Sequence, residues 1–330
     1  MAVFLPNILI LYLFISLMED SGYMARAAFI MDKVMHLAGL HGKSFIPLVM
    51  GFGCNVPAIM ATRTIESRSS RLITILINPF ISCSARLPVY ILLAGTFFSK
   101  NAGLVLFGLY LFGCLMAFLT ARILRRFLFG KDETPFVMEL PPYRVPTLKA
   151  TLRHMWERSE QYLRKIGGMI LVAAVIIWFL SYYPHSESVS SDVAGAAAQS
   201  ENSYLGRIGK LCEPVMEPLG LDWKASVALL SGAAAKEIVV STLGVLYSVE
   251  DAEEHSATLS EHLIESGNYT PASALAMMIF VMLYFPCVAT IAAIAQEAGG
   301  WKWALFSVVY NTLVAWVAAW GVYQLTLLLM

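Results

Sequence analysis

Long apolar runs separated by short polar segments fill the chain from end to end. A helix needs about 20 mostly apolar residues to cross a bilayer. Eight runs approach that length, and we predict membrane segments at residues 3–18, 45–62, 72–98, 102–121, 166–183, 225–247, 272–295 and 301–328. Polar or helix-breaking residues interrupt the second, third and sixth runs, and the third is long enough for one tilted helix or a broken pair.

Composition supports this interpretation. The 330 residues are 58% hydrophobic and 14% charged, with a mean hydropathy of +0.66, whereas a soluble domain has roughly 25% charged residues. The predicted fold class is therefore an all-α, polytopic membrane protein. The formal net charge of +0 says nothing about partners, and five cysteines do not indicate a disulfide framework.

Basic residues predict the orientation. Residues 63–71 contain Arg63, Arg68 and Arg71, and residues 122–165 are also rich in arginine and lysine. The positive-inside rule places both segments in the cytoplasm, and eight crossings then place both termini there. Residues 147–165 predict an amphipathic helix on the cytoplasmic surface.

An internal repeat relates two parts of the chain. A shift of 181 positions aligns residues 21–51 with residues 202–232, pairing tyrosine, arginine, lysine and glycine residues that lipid-facing helices do not require. The interrupted stretch GFGCNVPAIMATR (51–63) then corresponds to GAAAKEIVVSTLG (232–244). Interrupted helices at matching repeat positions indicate a transport site near the membrane midplane.

Four interrupted or proline-containing segments hold the candidate chemistry. Thiol, amide and carboxylate groups together suit a borderline ion such as Fe²⁺, held weakly enough to exchange. The predicted metal-contacting residues are Cys54, Asn55, Cys83, Glu237 and Cys287. Residues predicted to line or gate the path are Gly51, Gly53, Pro57, Pro79, Ser82, Arg86, Lys236, Ser241, Pro286 and Thr290. No catalytic pair is visible.

Structural alternatives remain open for several of these residues. A cysteine in an apolar helix is often only a small hydrophobic side chain; this is our interpretation of Cys114, and Cys212 is read as incidental. Cys54 and Cys287 stand beside prolines, which favours a role in a site. Glu237 is costly at membrane depth, and its alternative role is an ion pair that holds helices together.

Four motifs carry a family resemblance. GFGCNVPAIMATRTIE, NPFISCSARLPVY, AAAKEIVVSTLGVLY and YFPCVATIAAI resemble the membrane-domain motifs of the ferrous iron transport protein B (FeoB) family. The resemblance implies multi-pass uptake of Fe²⁺ across the bacterial inner membrane, with Cys54 and Cys287 matching the family's pore cysteines. It also implies two gate regions flanking a central segment.

The resemblance predicts a domain organisation. Its parts are a partial first gate region (1–71), central membrane segments (72–121), a basic cytoplasmic linker (122–165), a second gate region (166–248), an acidic loop (249–271) and C-terminal helices (272–330).

The same family implies partners. Its members carry a GTP-binding domain before the first membrane helix, so this chain resembles a C-terminal portion, a transporter part rather than an enzyme. GTP and Mg²⁺ would act only through an absent domain or partner chain. The expected partners are Fe²⁺, membrane lipid, a GTP-binding domain, small cytoplasmic Feo accessory proteins and a second copy of the chain. No permanent cofactor and no nucleic acid are expected.

Two other functions remain open from the sequence. One is transport of a nucleoside or another small solute through the same gate fold. The other is a non-autonomous membrane subunit that acts only when assembled with a partner.

Overall fold

The computed structural model describes residues 4–128, 143, 146–184, 202–247, 260, 263–264 and 269–329, and the described residues contain helices, turns and loops but no strand. Much of the predicted acidic loop and the middle of the basic linker lie outside these ranges. The helices of the first half are α1 Phe4–Asp20, α2 Tyr23–Leu37, α3 Phe45–Gly51, α4 Asn55–Ala61, α5 Arg68–Ile77, α6 Leu87–Phe97 and α7 Ala102–Phe127. Those of the second half are α8 Leu148–Tyr182, α9 Tyr204–Met216, α10 Trp223–Ser231, α11 Ile238–Leu246, α12 Pro271–Leu283, α13 Val288–Glu297 and α14 Trp301–Leu329.

Five segments of the described residues are long and apolar enough to cross a membrane: Arg68–Phe97, Ala102–Phe127, Leu148–Tyr182, Pro271–Glu297 and Trp301–Leu328. They coincide with five of the eight predicted crossings. The first predicted crossing is a helix of 17 residues, and the runs 45–62 and 225–247 are each divided into two short helices. The all-α, polytopic class is confirmed, whereas the number of crossings and their orientation stay predictions.

Four apolar runs are divided by a break in the helix. The first break, residues 52–54, separates α3 from α4, and the second, residues 78–86, separates α5 from α6. The third, residues 232–237, and the fourth, residues 284–287, divide the corresponding runs of the second half. Residues 72–98 therefore form a broken pair rather than one tilted helix. Glycine and proline residues at these points explain the breaks, because they weaken or remove the hydrogen bonds of a continuous helix.

Helix α8 differs from the expectation of a separate surface helix. The predicted amphipathic segment and the following membrane segment form one continuous helix of 35 residues. No proline stands between the two parts, and the glycine pair at 167–168 does not interrupt the helix. Its first half packs on α1, where the rings of Tyr162 and Tyr12 lie 6.4 Å apart and Arg158 pairs with Glu19 at 2.9 Å.

The helix boundaries follow the repeat. Helices α2 and α9 begin at the matched residues Tyr23 and Tyr204, and each is followed by a turn containing a matched glycine. Gly39 has φ of 74° and Gly220 has φ of 69°, a conformation that favours glycine. A broken pair follows in each copy, then a second broken pair and one long helix. The structure therefore extends the repeat well beyond residues 51 and 232.

The chain divides into two compact units. Unit 1 contains residues 1–83, 114–169 and 289–305, and unit 2 contains residues 84–113, 170–288 and 306–330. The core of unit 1 includes Ile15, Met24, Met50 and Ala58. A core cluster of unit 2 contains Leu205, Val227 and Leu246.

Candidate functional site

The first break places Cys54 in extended backbone between two seven-residue helices. Its φ and ψ are −151° and 131°, and its half-buried side chain forms no disulfide. The Cys54 N–H donates to Met50 O over 3.1 Å, so the end of α3 is closed by residues of the break itself. Pro57 lies in the first turn of α4, where a missing N–H is tolerated. The half-buried Gly53 completes the break.

Asn78 joins the first break to the second. Its Nδ2 donates to Asn55 O over 3.3 Å, and both residues are buried. Gly51 lies beside them, because a Cβ atom on this residue would stand 2.8 Å from Asn78 Oδ1 and 3.2 Å from Ile81 Cγ2. Glycine at position 51 is therefore required by the close approach of the second break.

The second break also contains Cys83. Its side chain is half-buried and forms no disulfide. Pro79, Ser82 and Arg86 are buried, and Arg86 is only 1% exposed. A fully charged side chain with so little exposure is costly unless it has polar partners, which makes Arg86 a structural or functional element of unit 2.

Lys236 occupies the third break. Its side chain is only 2% exposed, and Nζ donates to Phe285 O over 2.9 Å. The same Nζ lies 3.2 Å from the centroid of the Tyr284 ring, a close cation–π contact. The Val288 N–H also donates to Ala233 O over 3.0 Å. The third and fourth breaks are therefore joined by both an ammonium group and the backbone.

The remaining predicted residues of the second half surround these contacts along the chain. Glu237 is half-buried directly before α11, and Ser241 is half-buried within it. In the fourth break Pro286 is buried, and Cys287 is half-buried and forms no disulfide. Thr290, one turn into α13, is 1% exposed.

Among the predicted ligands, Cys54 and Asn55 are neighbours along the chain, and Asn78 contacts Asn55. Within the described ranges, no group of three or more histidine, cysteine, aspartate or glutamate residues is placed to hold a metal ion. The ligand set Cys54, Asn55, Cys83, Glu237 and Cys287 therefore stays a prediction. The structure adds Asn78 to the candidate residues at the first break. From the sequence, Asn78 is only a polar residue of the second break.

An ion-pair cluster in unit 1 was not predicted. Arg63 donates from both Nε and Nη2 to the carboxylate of Glu297, and Arg71 Nη2 reaches the same carboxylate at 2.9 Å. Nearby in sequence, Lys43 Nζ donates to Glu66 over 2.7 Å and holds the pKa of Glu66 below its ordinary value. Glu297 is 234 positions from Arg63, so no local pattern reveals their contact.

Unit 1 also contains a cavity of about 540 Å³. Its wall includes Pro57 and Met50 from the first broken pair, together with Tyr12 of α1. Charged side chains at the cavity are Glu19, Lys43, Arg63 and Arg158. The volume lies within the usual range of small-molecule sites.

Two family models match the chain. The Gate model, described as nucleoside recognition, matches residues 1–97 and 163–301. The model described as the C terminus of ferrous iron transport protein B matches residues 106–158. Together they match most of residues 1–301, which include the broken helices of both copies of the repeat.

Curated relatives agree with the second model. The Fe(2+) transport protein A/Fe(2+) transporter FeoB fusion protein of Porphyromonas gingivalis is 56% identical over 99% of this chain and 43% of that protein. The Fe(2+) transporter FeoB of Campylobacter jejuni is 46% identical over 96% of this chain and 52% of that protein. The protein of the same name from Methanocaldococcus jannaschii is 46% identical over 96% of this chain and 46% of that protein.

The chain spans about half the length of the curated relatives it matches, and no solved structure matches it. The matched half is the one that contains the gate repeat and its broken helices. With the motifs at the four breaks, these matches show that the chain belongs to the ferrous iron transport protein B family and represents its membrane portion.

Proposed function

We propose that this chain forms the Fe²⁺ permeation path of a transporter in the bacterial inner membrane. The observation that carries the proposal is the position of the thiols. Three of the four helix breaks hold a half-buried cysteine that forms no disulfide, namely Cys54, Cys83 and Cys287, in a chain that belongs to the ferrous iron family.

The donor chemistry fits a borderline cation. Thiol sulfur binds Fe²⁺ more readily than harder ions, while amide and carboxylate oxygens add weaker contacts. Glu237 supplies such oxygens at the third break. A conducting site must release its ion, so single thiols at successive breaks suit transport better than a closed cysteine cage. The gating residues named from the sequence act, in this proposal, by setting the shape of each break.

Control by nucleotide hydrolysis is part of the proposal. A GTP-binding domain, with GTP and Mg²⁺, would act through a region outside these 330 residues. The printed name of the Porphyromonas gingivalis relative joins transport protein A to the transporter, which supports a small accessory protein as a further partner.

Cysteine variants test the proposal in cells that lack their own ferrous iron uptake. The chain is joined to the remaining length of the Porphyromonas gingivalis relative, and the initial rate of ⁵⁵Fe²⁺ uptake is measured. We expect Cys54→Ser and Cys287→Ser to lower the initial uptake rate by about tenfold or more. Each factor of ten in rate corresponds to roughly 1.4 kcal/mol of activation free energy.

Two other cysteines provide matched controls. Cys114 lies inside the long helix α7 and Cys212 lies in α9, both outside the breaks. Cys114→Ser and Cys212→Ser should retain the parental uptake rate at equal membrane abundance. Full uptake by both break variants would contradict the role of these thiols.

A nucleoside or other small solute is the second candidate substrate. The Gate model is described as nucleoside recognition, and the cavity of about 540 Å³ is large enough for such a molecule. Saturable binding of a radiolabelled nucleoside to the purified chain, unaffected by Cys54→Ser, would favour this function over Fe²⁺ transport.

A non-autonomous subunit is the third candidate, favoured by the partial coverage of every relative named above. It predicts no Fe²⁺ flux into liposomes that contain the purified chain alone. Flux that appears only after a GTP-binding partner is added would support it.

A further inference from the structure

Two buried asparagines of unit 1 present side-chain oxygens at the first break. Asn55 is 4% exposed and Asn78 is 0% exposed. The hydrogen bond from Asn78 Nδ2 to Asn55 O sets the orientation of the Asn78 amide, since the flipped amide would place two oxygens against each other. Asn78 Oδ1 therefore faces Gly51, where the missing Cβ leaves room beside it.

Neither oxygen accepts a hydrogen bond from the described part of the chain. Asn55 Oδ1 and Asn78 Oδ1 are both fully buried atoms, and no donor of the described residues reaches them. Buried amide oxygens in folded proteins nearly always have a partner, because an unpaired one forfeits the hydrogen bonds it had in water. Two such oxygens on residues joined to each other indicate a place for a ligand that accepts electron pairs.

Helix ends of both signs surround the two asparagines, because α4 begins at Asn55 while α3 and α5 end beside them. Helix α3 ends at Gly51 and helix α5 ends at Ile77, next to Asn78. The C-terminal end of a helix carries a partial negative charge, so cations are stabilised there. The two asparagines thus add neutral oxygen donors at a place where two helices present their negative ends.

The second copy of the repeat shows a cation in the corresponding place. Lys236 is the repeat counterpart of Asn55, being 181 positions later. Its ammonium group is buried among Tyr284 and the carbonyl of Phe285. Gly232, the counterpart of Gly51, lies against Tyr284, whose hydroxyl would stand 2.7 Å from an added Cβ. The first and third breaks therefore each have a glycine beside a polar group of the next broken pair, and the third break has a lysine ammonium where the first has Asn55.

We infer that the first break binds a monovalent alkali cation, sodium or potassium, through Asn55 Oδ1 and Asn78 Oδ1. Neutral carbonyl-type oxygens are the donors that hard cations prefer. The counterpart cation, a lysine ammonium, carries a single charge, which favours a monovalent ion over a divalent one at this position. This ion is distinct from the Fe²⁺ proposed to contact the thiols, and it would order the first break in the way that Lys236 orders the third.

Thermal unfolding of the purified 330-residue chain in detergent tests the inference in iron-free buffer. The melting temperature is measured against NaCl and against KCl, with N-methyl-D-glucamine chloride holding the ionic strength constant. We expect a saturable rise in melting temperature with one or both alkali ions, because a ligand that binds only the folded state stabilises it. A melting temperature that is independent of the cation would overturn the inference.

Three substitutions locate the effect. Asn55→Leu and Asn78→Leu should abolish the dependence on alkali cation. Asn311→Leu is the matched control, since Asn311 is also buried with an unaccepting Oδ1 but donates to Ser307 within the regular helix α14. Asn311→Leu should retain the dependence, and retention in Asn78→Leu would contradict the assignment.

Asn78→Asp tests alkali-cation binding at the first break if the leucine variants do not unfold cooperatively. This change keeps the shape of the side chain and adds a negative charge, so the half-saturating alkali concentration should fall by tenfold or more. An unchanged or higher half-saturating concentration would overturn the inference. Because iron is absent throughout, failure here leaves the Fe²⁺ proposal to stand or fall on the uptake measurements.

Discussion

The first and third breaks occupy the same position in two copies of one repeat, yet their chemistry is opposite. The first break combines a thiol, Cys54, with the amide of Asn55. At the corresponding positions the third break has Ala235 and Lys236, and the lysine ammonium is buried against Tyr284 and Phe285. The surrounding structure is similar in both copies. A matched glycine, Gly51 or Gly232, stands at the start of each break and packs tightly against the next broken pair.

This difference separates two roles within the repeat. The third break already holds the ammonium group of Lys236, whereas the first break has a thiol and an amide at the corresponding positions. The paired breaks therefore need not be equivalent transport sites. We expect the first break to exchange ions and the third to act mainly as a fixed structural counterpart.

The largest expected loss of stability comes from removing the partners of Glu297 at the end of α13. The second copy of the repeat has an acidic residue at this helix end, and the first copy does not. Phe97 ends the matching helix α6, whereas α13 ends at Glu297, whose side chain is 4% exposed and pairs with Arg63 and Arg71. Replacing both arginines by alanine leaves this carboxylate buried and unpaired. The loss should be about 3–5 kcal/mol of unfolding free energy, measured by thermal unfolding in detergent.

Glu297→Gln is the informative control for that variant. It leaves Arg63 and Arg71 without a carboxylate, but their side chains are 50% and 30% exposed and can be hydrated. The loss should be smaller, about 1–2 kcal/mol, because hydrated charges do not suffer the same penalty. An equal or larger loss in Glu297→Gln would contradict the burial argument.

Lys236→Met tests whether the third break depends on its ammonium group. The change keeps most of the apolar stem but removes the hydrogen bond to Phe285 O and the cation–π contact with Tyr284. A charged hydrogen bond and a desolvated cation–π contact are each worth about 2 kcal/mol, reduced by the cost of burying the charge. We expect a net loss of roughly 1–3 kcal/mol by the same unfolding assay.

The melting temperature of Lys236→Met shows whether the first and third breaks differ in the way proposed. A stable Lys236→Met variant that unfolds at the parental temperature would show that the ammonium is not a structural element of the third break. The Lys236 ammonium would then not explain how the third break differs from the first.

The two matched glycines give the smallest expected effect. An alanine at position 51 meets Asn78 and Ile81, and one at position 232 meets Val239 and Tyr284. Each Cβ requires a neighbour to move, so Gly51→Ala and Gly232→Ala should each lose about 1–2 kcal/mol.

Gly108→Ala is the matched control for this pair. Gly108 lies within α7 and has nothing within 4 Å of an added Cβ. Alanine there should be neutral or stabilise by up to about 1 kcal/mol, since alanine favours a helix over glycine. Equal losses at all three positions would show that the tight approach at the breaks is not the cause.

Most of the helical architecture follows from the sequence. Apolar runs predict the long helices, and glycine with proline predicts the breaks at Gly51 and Pro57. The 181-residue repeat pairs Gly39 with Gly220, and both have the left-handed conformation that favours glycine. Local pattern and repeated pattern thus agree with the structure.

Other features depend on contacts between distant residues. The approach of Asn78 to Asn55 and the pairing of Glu297 with Arg63 leave no periodic trace in the sequence. The hydrogen bond from the buried Lys236 ammonium to Phe285 O joins residues 49 positions apart and also leaves no trace in the sequence. Continuity of α8 was also unexpected, since charge patterning alone does not show whether a surface helix ends before a membrane helix begins.

The most direct test places a lysine in the first break. Asn55→Lys gives the first copy the residue that its counterpart has at position 236, and the melting temperature of this variant is measured with and without alkali cations in iron-free detergent solution. Our account predicts a folded protein whose melting temperature no longer depends on sodium or potassium, because the tethered ammonium takes the place of the ion. A folded Asn55→Lys protein that keeps the parental dependence on alkali cation would contradict it.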